Sequence, residues 1–144
     1  IKFRTMKIVF NENGNLEKDE CRQSKFGNWL RKTSFDELPE LINILKGDMS
    51  FVGPRPLLIE YLEYYNKKHQ KRHLVKPGIS GWAQVNGRNS IDWKTKLDLD
   101  VYYVENRSFL LDINIFLKTF KVLFKQEGIN FKKNFSMPPF RGLD

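Results

Sequence analysis

Pro54 and Pro56 bracket Arg55 at the end of the run Asp48-Met49-Ser50-Phe51-Val52-Gly53-Pro54-Arg55-Pro56. Each proline locks its own φ and pushes the residue before it toward extended backbone, so no helix passes through this stretch. A stiff loop is expected there, and the chain must build separate elements on either side. Pro77-Gly78 imposes a second break. The 144 residues are about one domain's worth, and 40% of them are hydrophobic, enough to bury a core and too many for wholesale disorder. The expected fold is α/β (α+β): a single compact, helix-rich domain over residues 1–144, with a few short strands and amphipathic surface helices.

Residues 1–10 read as a strand, because apolar and cationic residues alternate loosely up to the turn cluster Asn11-Glu12-Asn13-Gly14-Asn15. A short helix is expected over residues 26–31. The clearest helix start follows, with Ser34 as N-cap and Glu37 in capping-box position. Leu38, Leu41, Ile42 and Leu45 take the spacing of a buried face, and Gly47 closes the helix. Pro39 lies deeper than the favoured first helical position, which predicts an irregular opening turn. Residues 57–74 repeat helically through Leu58, Tyr61, Leu62 and Tyr65 and end in the basic tail Lys67-Lys68-His69-Gln70-Lys71-Arg72-His73. A short strand is expected around Trp82-Ala83-Gln84-Val85, then helices over 94–105 and 109–126. The last carries Phe109, Ile113, Phe116, Phe120 and Leu123 on one stripe, with Asn114, Lys118, Lys121 and Lys125 opposite. Gly128 fits its C′ position, and Met137-Pro138-Pro139-Phe140 reads as irregular.

Charge narrows the partners. Lys and Arg number 25 against 17 Asp and Glu, a formal net charge of +8, so an anionic partner is expected: nucleic acid, an anionic membrane surface or a phosphorylated substrate. Cys21 is the sole cysteine, which excludes an internal disulfide and a Cys/His zinc cluster. No apolar run reaches the length of a spanning helix, and no signal-peptide pattern opens the sequence. His69 and His73 stand four apart without the glutamate of a zinc-protease motif and read as solvated surface. Neither a P-loop nor a dinucleotide fingerprint is present. Trp29, Trp82 and Trp93 are not interleaved with the basic run, so a nucleic-acid reading rests on net charge alone.

Two readings fit the carboxylates Asp36 and Glu37. Both can simply complement the positive end of a helix. The same helix end can bind phosphate, with one carboxylate attacking phosphorus or both holding a cation. Arg55 is equally open: a solvated turn arginine, or a guanidinium fork held ready for a diphosphate by its flanking prolines. Arg88, in Gly87-Arg88-Asn89, has the same two readings. Lys118, Lys121 and Lys125 fit a solvated face or a contact with anionic headgroups.

Longer motifs add a resemblance. Lys2-Phe3-Arg4-Thr5-Met6, Leu30-Arg31-Lys32-Thr33-Ser34-Phe35-Asp36-Glu37-Leu38-Pro39-Glu40-Leu41, Gly47 through Pro56, Lys76 through Asn89 and Asp100-Val101-Tyr102-Tyr103-Val104 occur in that order. Together they closely resemble the bacterial initiating sugar transferases, the monotopic polyprenyl-phosphate phosphoglycosyl transferases. The resemblance implies transfer of a phosphosugar from a UDP-sugar to undecaprenyl phosphate, with release of UMP and Mg²⁺ as cofactor. It further implies Asp36 as the nucleophile that forms an aspartyl phosphosugar, with Glu37 assisting as base or through the metal. Arg55 between Pro54 and Pro56 would bind phosphate, Arg88 the nucleotide, and Asp112 would be an active-site acid. Family members carry a hydrophobic re-entrant membrane helix just before the Lys2-Phe3-Arg4 run. The sequence lacks that segment, so trimming upstream and anchoring at the cytoplasmic face of the bacterial inner membrane are both expected, with no nucleic-acid partner. Phosphoryl-group transfer itself asks for alignment and charge stabilisation, which a helix end, arginines and Mg²⁺ supply.

Overall fold

The computed structural model describes residues 1–17, 19–87, 90–125 and 139–142. They form two compact units, Ile1–Asn43 and Ile44–Asp144. The α/β class and the helix-rich character match expectation.

In the first unit the strand expected over residues 1–10 is reduced to two isolated antiparallel bridges, Met6 with Gln23 and Phe10 with Leu16. No further strand pairs with either segment among the described residues, and a lone ribbon of this kind is marginal in water. The expected turn is present: Asn11 Oδ1 accepts from the N–H groups of Asn13 and Asn15 at 3.1 and 3.0 Å. After α1 (Asp19–Arg22), Ser24 caps α2 (Lys25–Thr33) by accepting from the Gly27 N–H at 2.9 Å. Gly27 lies so close to strand-like Thr5 that a Cβ there would sit 1.9 Å from the Thr5 carbonyl oxygen. Along α2, Leu30 is buried and Trp29 stacks on Phe26 and meets Phe35 edge-on.

The segment after α2 departs from the sequence reading. Ser34 is not an extended N-cap. It adopts a left-handed conformation, φ 57° and ψ 19°, and ends α2 through its N–H to the Arg31 and Leu30 carbonyls. A single 3₁₀ turn, Phe35–Glu37, follows, and α3 (Glu40–Leu45) starts only after Pro39, the irregular opening that the proline predicts. The 3₁₀ turn leaves Leu38 outside the α-helix, while Leu41, Ile42 and Leu45 keep helical spacing within α3. All four are exposed, and α3 buries Glu40 instead. Gly47 ends the helix as expected, at φ 81°.

In the second unit β1 (Ser50–Val52) pairs in parallel with β2 (Gly78–Ser80), Ser50 opposite Gly78 and Val52 opposite Ser80. A third of the expected stiff loop, Ser50–Val52, is therefore strand, and the later strand lies just before its expected position. Trp82–Val85 forms the short helix α4, closed by the Val85 N–H on the Gly81 carbonyl. The two strands meet where side chains are missing: a Cβ on Gly78 would lie 2.1 Å from Gly53 N. Residues 57–74 are not one helix but two 3₁₀ segments, Ile59–Tyr64 and His69–Leu74, with Tyr65 extended between them. Asn66 favours the break, its Oδ1 accepting from the His69 N–H at 2.9 Å and starting the second segment. The helices α5 (Trp93–Glu105), capped by Asp92 on the Thr95 N–H, and α6 (Phe109–Lys125) match expectation. The position of Gly128 lies outside the described residues.

Two apolar clusters hold this unit. Val52, Tyr103 and Ile115 join β1, α5 and α6, while Tyr65, Leu97 and Phe140 pack the 3₁₀ region against α5. Phe140, in the irregular tail, stacks on Tyr65 and meets Tyr61 edge-on. The described part of the apolar stripe of α6 is not in the core: Phe109, Ile113, Phe116 and Phe120 are exposed, and Ile115, with Leu111 packed on the same cluster, seats the helix. No described helix is long and apolar enough to cross a membrane.

Candidate active site

Asp36 and Glu37 stand on the 3₁₀ turn of the first unit, immediately after the left-handed Ser34. A non-glycine residue in that conformation costs about 1–2 kcal/mol, so neighbouring contacts must hold the turn. They are visible: the Phe3 N–H donates to the Asp36 carbonyl at 3.0 Å, and Lys2 Nζ lies 2.6 Å from Glu37 Oε1 and 3.3 Å from Glu40 Oε1. The capping box expected of Ser34 and Glu37 is absent, because Ser34 is not extended and the Glu37 carboxylate is turned to Lys2. Asp36 is half-buried. Its carboxylate and that of Glu37 are hard oxygen donors on consecutive residues. Among the described residues no group of three or more His, Cys, Asp or Glu is placed to hold a metal.

Arg55 belongs to the second unit. It follows Pro54, which is buried, and precedes Pro56, which is exposed; the arginine itself is half-buried. The loop is fastened by successive carbonyls. Pro54 O accepts from the Gly78 N–H at 3.1 Å, and Arg55 O accepts from Arg72 Nη2 at 2.5 Å. Arg72 also donates through Nε and Nη2 to Asp100 Oδ2, at 3.2 and 2.9 Å, and Nη1 lies 3.4 Å from the Tyr65 hydroxyl. The side chains of Arg72 and Asp100 are 3% and 2% exposed. Burial pushes the Asp100 carboxyl up to about 6, against the downward pull of Arg72 and Lys96. Lys96, one turn earlier on α5 and 5.0 Å above the Trp93 ring, is lowered by burial, with the nearby Arg55 charge acting in the same direction.

Asp112, in the first turn of α6, accepts from the Tyr103 hydroxyl at 2.8 Å, and that hydroxyl also lies 3.3 Å from the Val52 carbonyl at the end of β1. Burial, and then the bond to Asp112, raise the Tyr103 phenol well above its ordinary value. Arg88 lies outside the described residues.

The structure thus brings Arg55 together with three residues to which the sequence analysis gave no role: Arg72, Asp100 and Lys96. It also corrects the reading of the basic tail. His69 is buried, not solvated, with Nε2 3.2 Å from Asp98 Oδ1. The cause is the 3₁₀ winding of His69–Leu74, which places residues 69 and 72 on one face toward α5 and leaves His73 exposed. Asp100 was within reach of sequence, since it opens one of the long motifs. Arg72 was hidden in a run of cations where nothing distinguishes it.

The first unit offers paired carboxylates and the second a proline-flanked arginine, groups whose chemistry suits a cation and a phosphate respectively, on a helix-rich α/β scaffold. The comparisons supply the class. Residues 1–126 match the family of bacterial sugar transferases, and the chain belongs to that family, whose match spans both units. It is 52% identical over 141 residues to an uncharacterized sugar transferase, EpsL, of Bacillus subtilis, covering 98% of this chain and 70% of that protein. It is 45% identical over 111 residues to an undecaprenyl-phosphate galactose phosphotransferase of Salmonella typhimurium, covering 77% of this chain and 23% of the relative. It is 44% identical over 131 residues to a UDP-glucose:undecaprenyl-phosphate glucose-1-phosphate transferase of Escherichia coli, covering 83% and 28%. The chain therefore spans less than a third of these last two relatives.

Proposed function

We propose that this chain transfers a phosphosugar from a UDP-sugar to undecaprenyl phosphate, releasing UMP and starting assembly of a surface glycan. The observation that carries the reading is the family match over residues 1–126, together with relatives whose names state undecaprenyl-phosphate phosphotransfer.

In this reading an Asp36 carboxylate oxygen attacks the sugar-linked phosphorus of the donor. The bond from that phosphorus to the bridging oxygen breaks, and UMP departs with the electron pair. A phosphate oxygen of undecaprenyl phosphate then attacks the same phosphorus, restoring the Asp36 carboxylate and leaving the sugar on a lipid diphosphate. Asp36 suits the first step because a carboxylate nucleophile has no proton to lose. Arg55, between Pro54 and Pro56, pairs with the diphosphate, and Arg88 and Asp112 complete the substrate side. Mg²⁺ commonly takes one or two carboxylates and lets substrate phosphates fill its shell, which fits Asp36 and Glu37 as the residues that would hold it. When bound it would neutralise diphosphate charge. The exposed apolar stripe of α6, with lysines opposite, supports contact with the cytoplasmic face of the inner membrane, where the acceptor resides.

Intact-protein mass spectrometry tests the reaction. The protein is incubated with Mg²⁺ and a panel of UDP-sugars in the absence of lipid acceptor, beside Asp36→Asn. A gain of one phosphosugar with one donor, lost in Asp36→Asn, is expected. Absence of both adduct and UMP, repeated in detergent with undecaprenyl phosphate, would end the transferase reading.

A further inference from the structure

The Arg55 loop has little backbone with which to secure itself. Pro54 and Pro56 have no N–H to donate, so the loop is fixed through its carbonyls. One of these, Pro54 O, is met by the Gly78 N–H of the β2 strand. The other, Arg55 O, is met by the Nη2 of Arg72, a side chain that is itself nearly inaccessible. Burying an arginine and a carboxylate as a pair is no route to stability in itself, since apolar residues of equal volume often do as well or better. A buried pair that spends one of its donors on the backbone of a ligand-binding loop has a positional use.

We propose that Arg72, oriented by Asp100, is a positioning residue that fixes the Arg55 carbonyl and so aims the Arg55 guanidinium at the diphosphate of the donor. The proposal rests on the reading of Arg55 as a diphosphate ligand. The guanidinium fork is what the task requires. Nε and Nη2 engage Asp100 Oδ2, the same Nη2 reaches Arg55 O, and Nη1 faces the Tyr65 hydroxyl. A lysine keeps the charge but offers a single point donor, which cannot hold Asp100 and the loop in one geometry. Asp100 and Lys96 share one face of α5, so the helix that orients Arg72 also brings a second cation beside Arg55. Misplacement of a binding group by about 1 Å is costly even when no contact to the ligand is removed.

A double-mutant cycle on the full chain tests this, with UDP and Mg²⁺ as the probe and calorimetric Kd as the readout. Arg55→Ala is expected to weaken UDP binding by about tenfold, and Arg72→Lys by about fivefold with Arg55 present. In the Arg55→Ala background, Arg72→Lys is expected to change Kd by less than about twofold, because its effect passes through Arg55. Equal weakening in both backgrounds, or none with Arg55 present, overturns the proposal while leaving the role of Arg55 intact. If Arg55→Ala itself leaves UDP binding unchanged, the reading of Arg55 falls and the positioning role falls with it. Circular dichroism reports whether Arg72→Lys folds. If it does not, Asp100→Ser, whose shorter side chain withdraws the acceptor that orients Arg72, takes its place in the same cycle with the same criteria.

Discussion

The carboxylate turn of the first unit and the arginine loop of the second are held in opposite ways. Asp36 stands on a three-residue 3₁₀ turn after a strained serine, steadied by one backbone bond from Phe3 and by Lys2 on the neighbouring Glu37. Arg55 stands on a loop fixed by two prolines and two carbonyl bonds, one of them from a buried guanidinium. The proposed roles would account for the contrast: a group that forms and breaks a covalent bond needs access and little else from its surroundings, whereas a group that holds a diphosphate in place needs to be aimed beforehand. The sharpest way to break this contrast is Asp36→Asn. It should abolish the phosphosugar adduct and cut turnover by about 10⁴-fold or more, roughly 5 kcal/mol of barrier, while moving the unfolding free energy by less than about 0.5 kcal/mol. An Asp36→Asn protein that is inactive because it is unfolded would show the turn to be structural, and the contrast would collapse.

The arginine loop should behave in the reverse sense. Arg72→Ala leaves Asp100 buried without its partner, and the expected cost is about 3–5 kcal/mol in urea unfolding at neutral pH. A loss below about 1 kcal/mol would mean that the pair is not as enclosed as its 3% and 2% exposures imply.

The pH response of the same pair is the next effect in size. Asp100 is held at about 6, against an ordinary value of 3.8, because burial outweighs Arg72. A carboxyl that keeps its proton more tightly when folded contributes stability that is complete below the ordinary value and is lost as pH rises through about 6. Asn does not titrate. The unfolding free energy of the unaltered protein should therefore fall relative to Asp100→Asn between about pH 4 and pH 7, by about 3 kcal/mol. A gap that widens in favour of the unaltered protein as pH rises would show that Arg72 wins over burial.

The sequence made some of this legible. Local chemistry was read well where one signal acted alone: Asn11 in its turn, Gly47 after α3 and the prolines around Arg55 each do what their covalent structure favours. It was read poorly where helical periodicity had to be assumed. Helical spacing was taken to mean a buried face, yet Leu41, Ile42 and Leu45 keep that spacing in α3 and are exposed, and the left-handed Ser34 leaves Leu38 outside the helix altogether. The same assumption over residues 57–74 hid two 3₁₀ segments, and with them the burial of His69 and Arg72. Asp36, Glu37 and Arg55 were singled out by their chemistry and by resemblance, and Asp112 by resemblance alone. Arg72 was not, since its role depends on a tertiary partner 28 residues away on another element.

Position along the 3₁₀ segment His69–Leu74 then supplies the smallest and cleanest test of what burial contributes. Lys71 and Arg72 are neighbours, and both pair with a carboxylate of α5. Lys71 Nζ lies 2.6 Å from Glu105 Oε1, a shorter contact than Arg72 makes with Asp100, yet its two side chains are 47% and 48% exposed. Water screens such a pair and competes for both ends, and holding two long side chains in one geometry costs rotamer entropy. Lys71→Ala should therefore change the unfolding free energy by no more than about 0.5 kcal/mol, and that small difference should vanish in about 1 M salt. If Lys71→Ala instead cost as much as Arg72→Ala, distance rather than burial would govern ion pairs on this segment, and the arginine loop would owe its fixity to something other than an enclosed guanidinium.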